Sequence, residues 1–276
     1  MDKIRGNYVT MDNRLVNAGD LSYTLSDRNV YEVIRIINGT PLFLEDHLER
    51  MTQSLEILKL DFRKSKEEIR NLIHLLARKN RIKDGNVKIL VNDGPAIHSY
   101  MYFIPHFYPE KASYLNGIRT GTIEMERKNP NAKVIDPNYK AKVTAFIEES
   151  GLYEALLVNT DHEITEGSKS NVFFVLNETL VTPPLKDVLG GVTRKRILDI
   201  ARELKISMAE ESVQVTDLSE VEAAFISGTS PKILPISFID DVQLNSPEHD
   251  IVMNLISAYD QKIEEYLQKN SSYTEA

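Results

Sequence analysis

The sequence predicts a chain of the mixed α/β (α+β) class, organised in two domains. Three observations carry this reading. Runs rich in β-branched and aromatic residues alternate with segments of helical apolar spacing in both halves of the chain. The stretch FYPEKASYLNGIRTGTIEMERKNPNA (107–132) loses both patterns and holds prolines and glycines instead. The 276 residues, 42% of them hydrophobic, are enough for one large core or two medium ones. We place the domains at 1–115 and 133–276, with 116–132 connecting them.

The elements follow in order. NVYEVIRII (29–37) is rich in β-branched residues and ends in Asn38-Gly39. Both residues of that pair tolerate the positive φ of a type I′ turn, so a hairpin onto TPLFL follows. LEDHLERMTQSLEILKL (44–60) brings apolar residues at 48, 51, 55, 57 and 58, close to helical spacing. Ser65 followed by Glu68 is a capping-box pair, and Ile69, Leu72, Ile73 and Leu76 give the next helix one apolar stripe. NVKILVN (86–92) and SYMYFIP (99–105) read as strands. Beyond the connection, Asp136-Pro137 is an N-cap followed by proline at the first helical position, and that helix runs to Gly151. EALLVN (154–159) and SNVFFVL (170–176) are strands with a tight turn and the stretch ITEGSK between them. TRKRILDIARELK (193–205) is a helix with Ile197, Ala201 and Leu204 on one face. EAAFISG (222–228) and KILPISFI (232–239) are further strands. Ser246-Pro247 opens a long last helix with Ile251, Leu255, Ile256, Tyr259 and Ile263 as its stripe, and KNSSYTEA (269–276) reads as a frayed tail.

Composition removes several function classes. A net charge of −8 argues against nucleic acid, which needs a basic face to neutralise phosphates. The absence of cysteine excludes disulfides, thiolate metal sites and a cysteine nucleophile. The six histidines (47, 74, 98, 106, 162 and 249) show no ligand spacing, so no metal site is expected. MDKIRGNYVTMDNRL has no apolar signal core and no apolar run approaches a membrane span, so the expectation is a cytoplasmic protein with no membrane partner.

The chemistry concentrates in the second half. ITEGSKSNVFF (164–174) sets the carboxylate of Glu166 beside a glycine, then two serines and an asparagine, at the mouth of an apolar strand. GGVTR (190–194) puts two glycines ahead of Val192 and Thr193 at a helix start, where backbone N–H groups and the helix dipole favour an anion. SGTSPK (227–232) presents Thr229 and Ser230 in another small loop able to offer donors. Any one of these stretches, taken singly, is a turn.

Taken together and in this order, ITEGSKSNVFFV, TPPLKDVLGGVTR and AAFISGTSPKILPI resemble the fold-type IV (class IV) pyridoxal-phosphate enzymes. That family comprises branched-chain aminotransferases, D-amino acid aminotransferases and aminodeoxychorismate lyases. YEVIRIINGTPLFLEDHLERM in the first half resembles the family's N-terminal strand, hairpin and arginine-bearing helix, so the resemblance covers residues 28–240. It implies the two-domain fold of the D-amino acid aminotransferase type with the active site at the domain interface. It also implies pyridoxal 5'-phosphate as cofactor, an amino acid and a 2-oxo acid as substrates, and a homodimer.

Residue by residue, the resemblance implies the following. Glu166 holds the cofactor's ring nitrogen protonated, without which the ring is a poor electron sink. Gly167 lets the backbone pass close, and Ser168, Ser170 and Asn171 complete a polar wall. The family's Schiff-base lysine lies a little over thirty residues before the glutamate and just ahead of a helix. Lys133 stands 33 residues before Glu166, whereas Lys140 and Lys142 fall inside the helix. Lys133 is then also the general base, and Tyr139 a candidate for the cofactor's phenolic oxygen. Arg50, Val192, Thr193 and Thr229 anchor phosphate, and Leu189 packs on the ring. Tyr31 faces the substrate. D-amino acid aminotransferases carry an Arg-x-His carboxylate trap after the strand that here reads VKILVN, but DGPAIHSYMY keeps only His98 and no arginine. Either amides near Thr229 and Ser230 with the Tyr31 hydroxyl take the substrate carboxylate, or an arginine arrives from elsewhere. The implied activity is transfer of an amino group from an apolar, branched-chain-type L-amino acid to 2-oxoglutarate. An aminodeoxychorismate lyase and a non-catalytic binding homologue stand as alternatives.

Overall fold

The computed structural model describes residues 3–270, which form two compact units. The first gathers the chain up to Phe107, the short segment Ala132–Ile135 and the chain from Ile263 on; the second gathers Tyr108–Asn131 and Asp136–Lys262.

The first unit contains β1 (Tyr8–Met11), β2 (Arg14–Asn17), β3 (Asn29–Ile37), β4 (Thr40–Pro41), α1 (Leu44–Ile57), α2 (Lys66–Asn80), β5 (Gly85–Asp93) and β6 (Ile97–Ile104). Its six strands form an antiparallel sheet in the order β2-β1-β6-β5-β3-β4. Side chains alternate between the two faces. Val30, Ile34, Val87, Ile89, Val91, Met101 and Phe103 meet Met51, Leu55, Ile69, Ile73 and Leu76 of the two helices in one core. The opposite face gathers Leu90, Tyr100 and Tyr102 with Val9, Leu21, Tyr23, Tyr31 and Ile135.

The local signals hold in this unit. Asn38 and Gly39 both have positive φ, +48° and +78°, as the expected turn requires. Ser65 and Glu68 bond reciprocally: Glu68 N donates to Ser65 Oγ (3.2 Å) and Ser65 N donates to Glu68 Oε2 (2.8 Å). In α1 the expected apolar stripe is only part of the buried face. Ile57 is exposed, while His47, Arg50 and Ser54 are buried beside Met51 and Leu55. The cause is a polar cluster described below.

The second unit contains α3 (Lys111–Asn116), β7 (Ile118–Glu124), α4 (Pro137–Ser150), β8 (Glu154–Val158), β9 (Glu163–Gly167), β10 (Asn171–Leu176) and β11 (Thr179–Thr182). It continues with α5 (Val192–Glu203), β12 (Met208–Glu210), β13 (Val213–Gln214), β14 (Ala223–Gly228), β15 (Lys232–Ile239), β16 (Val242–Gln243) and α6 (Asp250–Asn270), whose residues from 263 on belong to the first unit. Its ten-stranded sheet runs β12-β11-β10-β14-β15-β7-β8-β9-β13, with β16 paired to β15.

Three expectations change here. The stretch read as a patternless connection holds β7, which lies between β15 and β8 and is parallel to both. Its buried positions include Thr120 and Gly121, so no apolar alternation marks it. A Cβ on Gly121 would sit 2.5 Å from Leu152. Leu204, expected on the apolar face of α5, is the C-cap residue and 45% exposed. Ile200 and Leu198 share the buried face with Ile197 and Ala201 instead, because the helix ends one residue too early for Leu204 to turn inward. Ser246-Pro247 opens a 3₁₀ turn, not the helix itself, and α6 starts at Asp250. The buried Ser246 Oγ accepts from Ala224 N (2.8 Å), which fixes that turn against β14. By contrast, Asp136 caps α4 as expected, accepting from the N–H groups of Asn138 (2.9 Å) and Tyr139 (3.0 Å). Of the frayed tail, residues 271–276 lie outside the described residues. Among the described residues no helix is long and apolar enough to cross a membrane.

Candidate active site

In the first unit the site builds on the segment Ala132–Ile135, which is fixed against the start of β3. Lys133 N donates to Ser54 Oγ of α1 (3.1 Å), and Lys133 O accepts from Tyr31 N (3.0 Å). Two residues on, Ile135 N donates to Asn29 Oδ1 (2.8 Å), and Asn29 Nδ2 returns a bond to Ile135 O (3.3 Å). The lysine backbone is thus tied on both sides. Its Nζ lies 4.8 Å from the centre of the Tyr31 ring, a cation–π distance. Lys88 Nζ on β5 lies 4.7 Å from the centre of the same ring.

On the helix face of the sheet, Glu32 of β3 is fully buried and receives α1. Arg50 Nε and Nη2 donate to its two oxygens at 2.7 Å each, a bidentate pair, and His47 Nδ1 lies 2.8 Å from Oε2. Burial pushes the Glu32 carboxyl up, but the Arg50 guanidinium and the His47 hydrogen bond outweigh it and hold it at about 2. Burial likewise pushes His47 below its ordinary value despite Glu32, so a neutral ring donates to the carboxylate. The fork is made with Glu32, which sets the plane of the guanidinium. His98 is held elsewhere: its Nδ1 lies 2.6 Å from Asp12, in the β1–β2 turn, which also accepts from Ser99 N.

In the second unit Glu166 is the penultimate residue of β9, with 3% of its surface exposed. Arg127 Nη1 donates to its Oε1 (3.1 Å) and Leu189 N to its Oε2 (3.1 Å). An arginine beside a buried carboxylate favours the charged form. Asn171 Nδ2 donates to Leu189 O (2.8 Å), and a Cβ on Gly191 would collide with Asn171 Oδ1. One chain of contacts so connects the carboxylate, the Leu189 loop and the start of α5, where Val192 and Thr193 are the first helical residues. Gly191 is the N-cap and supplies no side-chain cap. Tyr259 OH lies 3.4 Å from Thr193 Oγ1. Thr229 and Ser230 occupy the turn between Gly228 and Lys232, the last register pair of β14 and β15. Ser227, opposite Asn171 in register, is buried and its hydroxyl has no hydrogen-bond partner.

Ser168 and Ser170 are anchored from behind by a buried acid. Both hydroxyls donate to Glu154, a fully buried acid of β8 whose pKa burial raises. Gly167 is required by this packing, since a Cβ there would collide with Ser170 Oγ. Tyr139 OH donates to Ser168 O (2.8 Å) and braces the same turn.

The sequence reading missed Asn29, Glu32, His47, Ser54, Lys88 and Arg127. Glu32 carried a legible signal, an acid at an apolar phase of a strand followed by His47 and Arg50 one helical turn apart. Lys88 carried one too, as the lone cation of NVKILVN.

The amino-transferase class IV family model matches residues 29–239. A D-alanine aminotransferase of Listeria monocytogenes is 30% identical over 265 residues, which cover 86% of this chain and 89% of that protein. A solved branched-chain aminotransferase from Thermoproteus uzoniensis, with norvaline, is 27% identical, with a TM-score of 0.83 over 95% of this chain and 98% of that one. A T.th. branched-chain amino acid aminotransferase solved with pyridoxamine 5'-phosphate shares the fold, with a TM-score of 0.85, 21% identity and coverage of 96% and 98%. With most of its length matched by the family model, the chain belongs to the class IV aminotransferases, a family of pyridoxal-phosphate-dependent enzymes.

Proposed function

We propose that this aminotransferase moves the amino group of an apolar, branched-chain-type L-amino acid to 2-oxoglutarate, with Lys133 as its catalytic lysine. The observation that carries the role of Lys133 is its backbone, tied by Ser54 and Tyr31, with its ammonium group against the Tyr31 ring. The residues present suit pyridoxal phosphate. Glu166 is a buried carboxylate already held by Arg127 and Leu189 N–H, and each carboxylate oxygen can accept more than one donor. The start of α5 has no side-chain cap, and the buried Ser227 hydroxyl has no hydrogen-bond partner.

When bound, the cofactor supplies an electron sink for the charge left on the substrate Cα. Lys133 would attach it and, as the free amine, would serve as the base that takes and carries the proton of the substrate Cα. Glu166 accepts the hydrogen bond of the ring nitrogen, and Arg127 keeps that carboxylate charged and aimed. Arg50, the first amides of α5 at Val192 and Thr193, and Thr229 hold phosphate. Leu189 covers the ring, and Asn171 fixes the loop that carries it. Tyr31 and the amides near Thr229 and Ser230 belong to the substrate side. The same reading carries a homodimer in the cytoplasm.

A D-alanine aminotransferase is the second reading, supported by the name of the 30% identical relative. Against it stands DGPAIHSYMY, which lacks the arginine of an Arg-x-His trap and whose His98 is engaged by Asp12. A panel of L- and D-amino acids with 2-oxoglutarate separates the two. We expect L-leucine and L-valine to exceed D-alanine in kcat/KM. Efficient D-alanine turnover contradicts the proposal, and pyruvate release without a transferred amino group makes the chain a lyase.

A further inference from the structure

The charge on the tyrosine-rich face of the first unit's sheet is unusual. Lys88 sits in the middle of β5, a strand buried on both faces, and is 6% exposed. Lysine is rarely buried to that degree, because its ammonium is strongly hydrated. In register it lies between Val33 of β3 and Tyr102 of β6, on the same face as Leu90 and Tyr100. Around it stand Tyr31 and the pair Tyr23–Tyr102, whose hydroxyls are 2.9 Å apart. Its ammonium and that of Lys133 are both within 4.8 Å of the centre of one ring, Tyr31.

We infer that Lys88 binds the α-carboxylate of the amino-acid substrate. The inference rests on Lys133 being the catalytic lysine. An α-amino acid carries its carboxylate on the same carbon as its nitrogen. A substrate whose nitrogen takes the place of Lys133 Nζ therefore has its carboxylate within a side chain's reach of that point. Lys88 is the cation on the other contact of the same ring. A carboxylate there offsets the repulsion between two ammonium groups that share one aromatic partner. Glu32, the acid beside Tyr31 on β3, faces the opposite side of the sheet, where Arg50 and His47 hold it. Arg35 shares the face of Tyr31 and Val33, but lies two residues farther along β3. Its charge acts on His106, beside Arg5 and Asp84. A lysine from the sheet thus replaces the arginine that DGPAIHSYMY lacks.

The test uses the holoenzyme and three probes: L-leucine, its carboxylate-free counterpart isoamylamine, and its amine-free counterpart 4-methylvalerate. Binding of 4-methylvalerate is read from the cofactor's absorbance without turnover. Lys88→Met should weaken 4-methylvalerate at least about tenfold and raise the KM of L-leucine by a similar factor, the size expected for one hydrogen bond to a charged group. Reaction with isoamylamine and the resting cofactor spectrum should stay unchanged, and Lys88→Arg should recover most of the lost affinity. Unchanged 4-methylvalerate binding overturns the inference, as does an equal loss for isoamylamine. Lys88→Gln serves as the second neutral variant, and failure of both to retain cofactor also overturns it, since the lysine then acts on the fold. If the unaltered protein carries no reducible cofactor on Lys133, the underlying reading fails instead, whatever Lys88 does.

Discussion

Lys133 and Glu166 are set in place by contacts of very different reach. Glu166 stands in a continuous run of strand, turn and strand, and its partners Arg127 and Leu189 are 39 and 23 residues away. Lys133 stands in a four-residue return of the chain to the first unit, and its N–H is held by Ser54, 79 residues distant. The partners also differ in kind. Around Glu166 an arginine meets the acid directly. Around Lys133 the ties are to the backbone, and the strong ion pair, Glu32 with Arg50, lies on the other face of β3. A carboxylate can be aimed by a motif; Lys133 is placed by distant contacts that fix its main chain.

The largest expected effect breaks the comparison on the side of the first unit. The folded pKa of Glu32, about 2, is below its ordinary value of 4.5, so its contribution is fully present above about pH 5 and is lost as pH falls toward 2. That contribution is about 3 kcal/mol. Glu154 in the second unit has the opposite sign. Its pKa is raised, so its charged form costs stability at high pH and acid removes that cost. Hydrogen exchange between pH 5 and 3 should therefore quicken first in β3 and α1, not in β8–β10. Glu32→Gln should lower stability at neutral pH by leaving Arg50 without its carboxylate, and should flatten the acid dependence. Identical acid profiles for variant and parent would remove Glu32 from this account.

Next comes Glu166→Gln. An amide cannot hold the ring nitrogen protonated, so kcat and kcat/KM should fall together, by at least about a hundredfold, or about 2.7 kcal/mol. Attachment of cofactor to Lys133 should survive, because the lysine's ties lie in the other unit. Full turnover in this variant contradicts the role given to Glu166. The smallest effect belongs to Ser54→Ala. It removes one hydrogen bond to the Lys133 backbone and should cost about 1 kcal/mol in denaturant unfolding, with a modest drop in kcat. A drop in kcat as large as that of Glu166→Gln would mean that Ser54 takes part in the chemistry itself.

The same contrast explains what the sequence disclosed. β3, its Asn38-Gly39 turn, the Ser65–Glu68 box and the Asp136 cap are encoded by residues a few positions apart, and all are present. β7 escaped notice because Thr120 and Gly121 fill buried positions where an apolar residue would have signalled a strand. The glutamate motif was legible as a unit, but the hydrogen bonds of Ser168 and Ser170 to Glu154 are a partnership that only the β8–β10 packing creates. Arg127 lies in the weakest pattern of the chain and gives no sign of its partner. Ser54 looks like an ordinary helix residue until the tertiary fold shows what it faces.

The most direct measurement is borohydride reduction of the cofactor-loaded protein followed by peptide mapping. A hydride-fixed cofactor should be recovered on the peptide containing Lys133, with loss of the near-visible absorbance band, and Lys133→Ala should show neither. Recovery of the label on Lys88, Lys140 or Lys142, or no label on an enzyme that still transaminates, would contradict the assignment on which the rest depends.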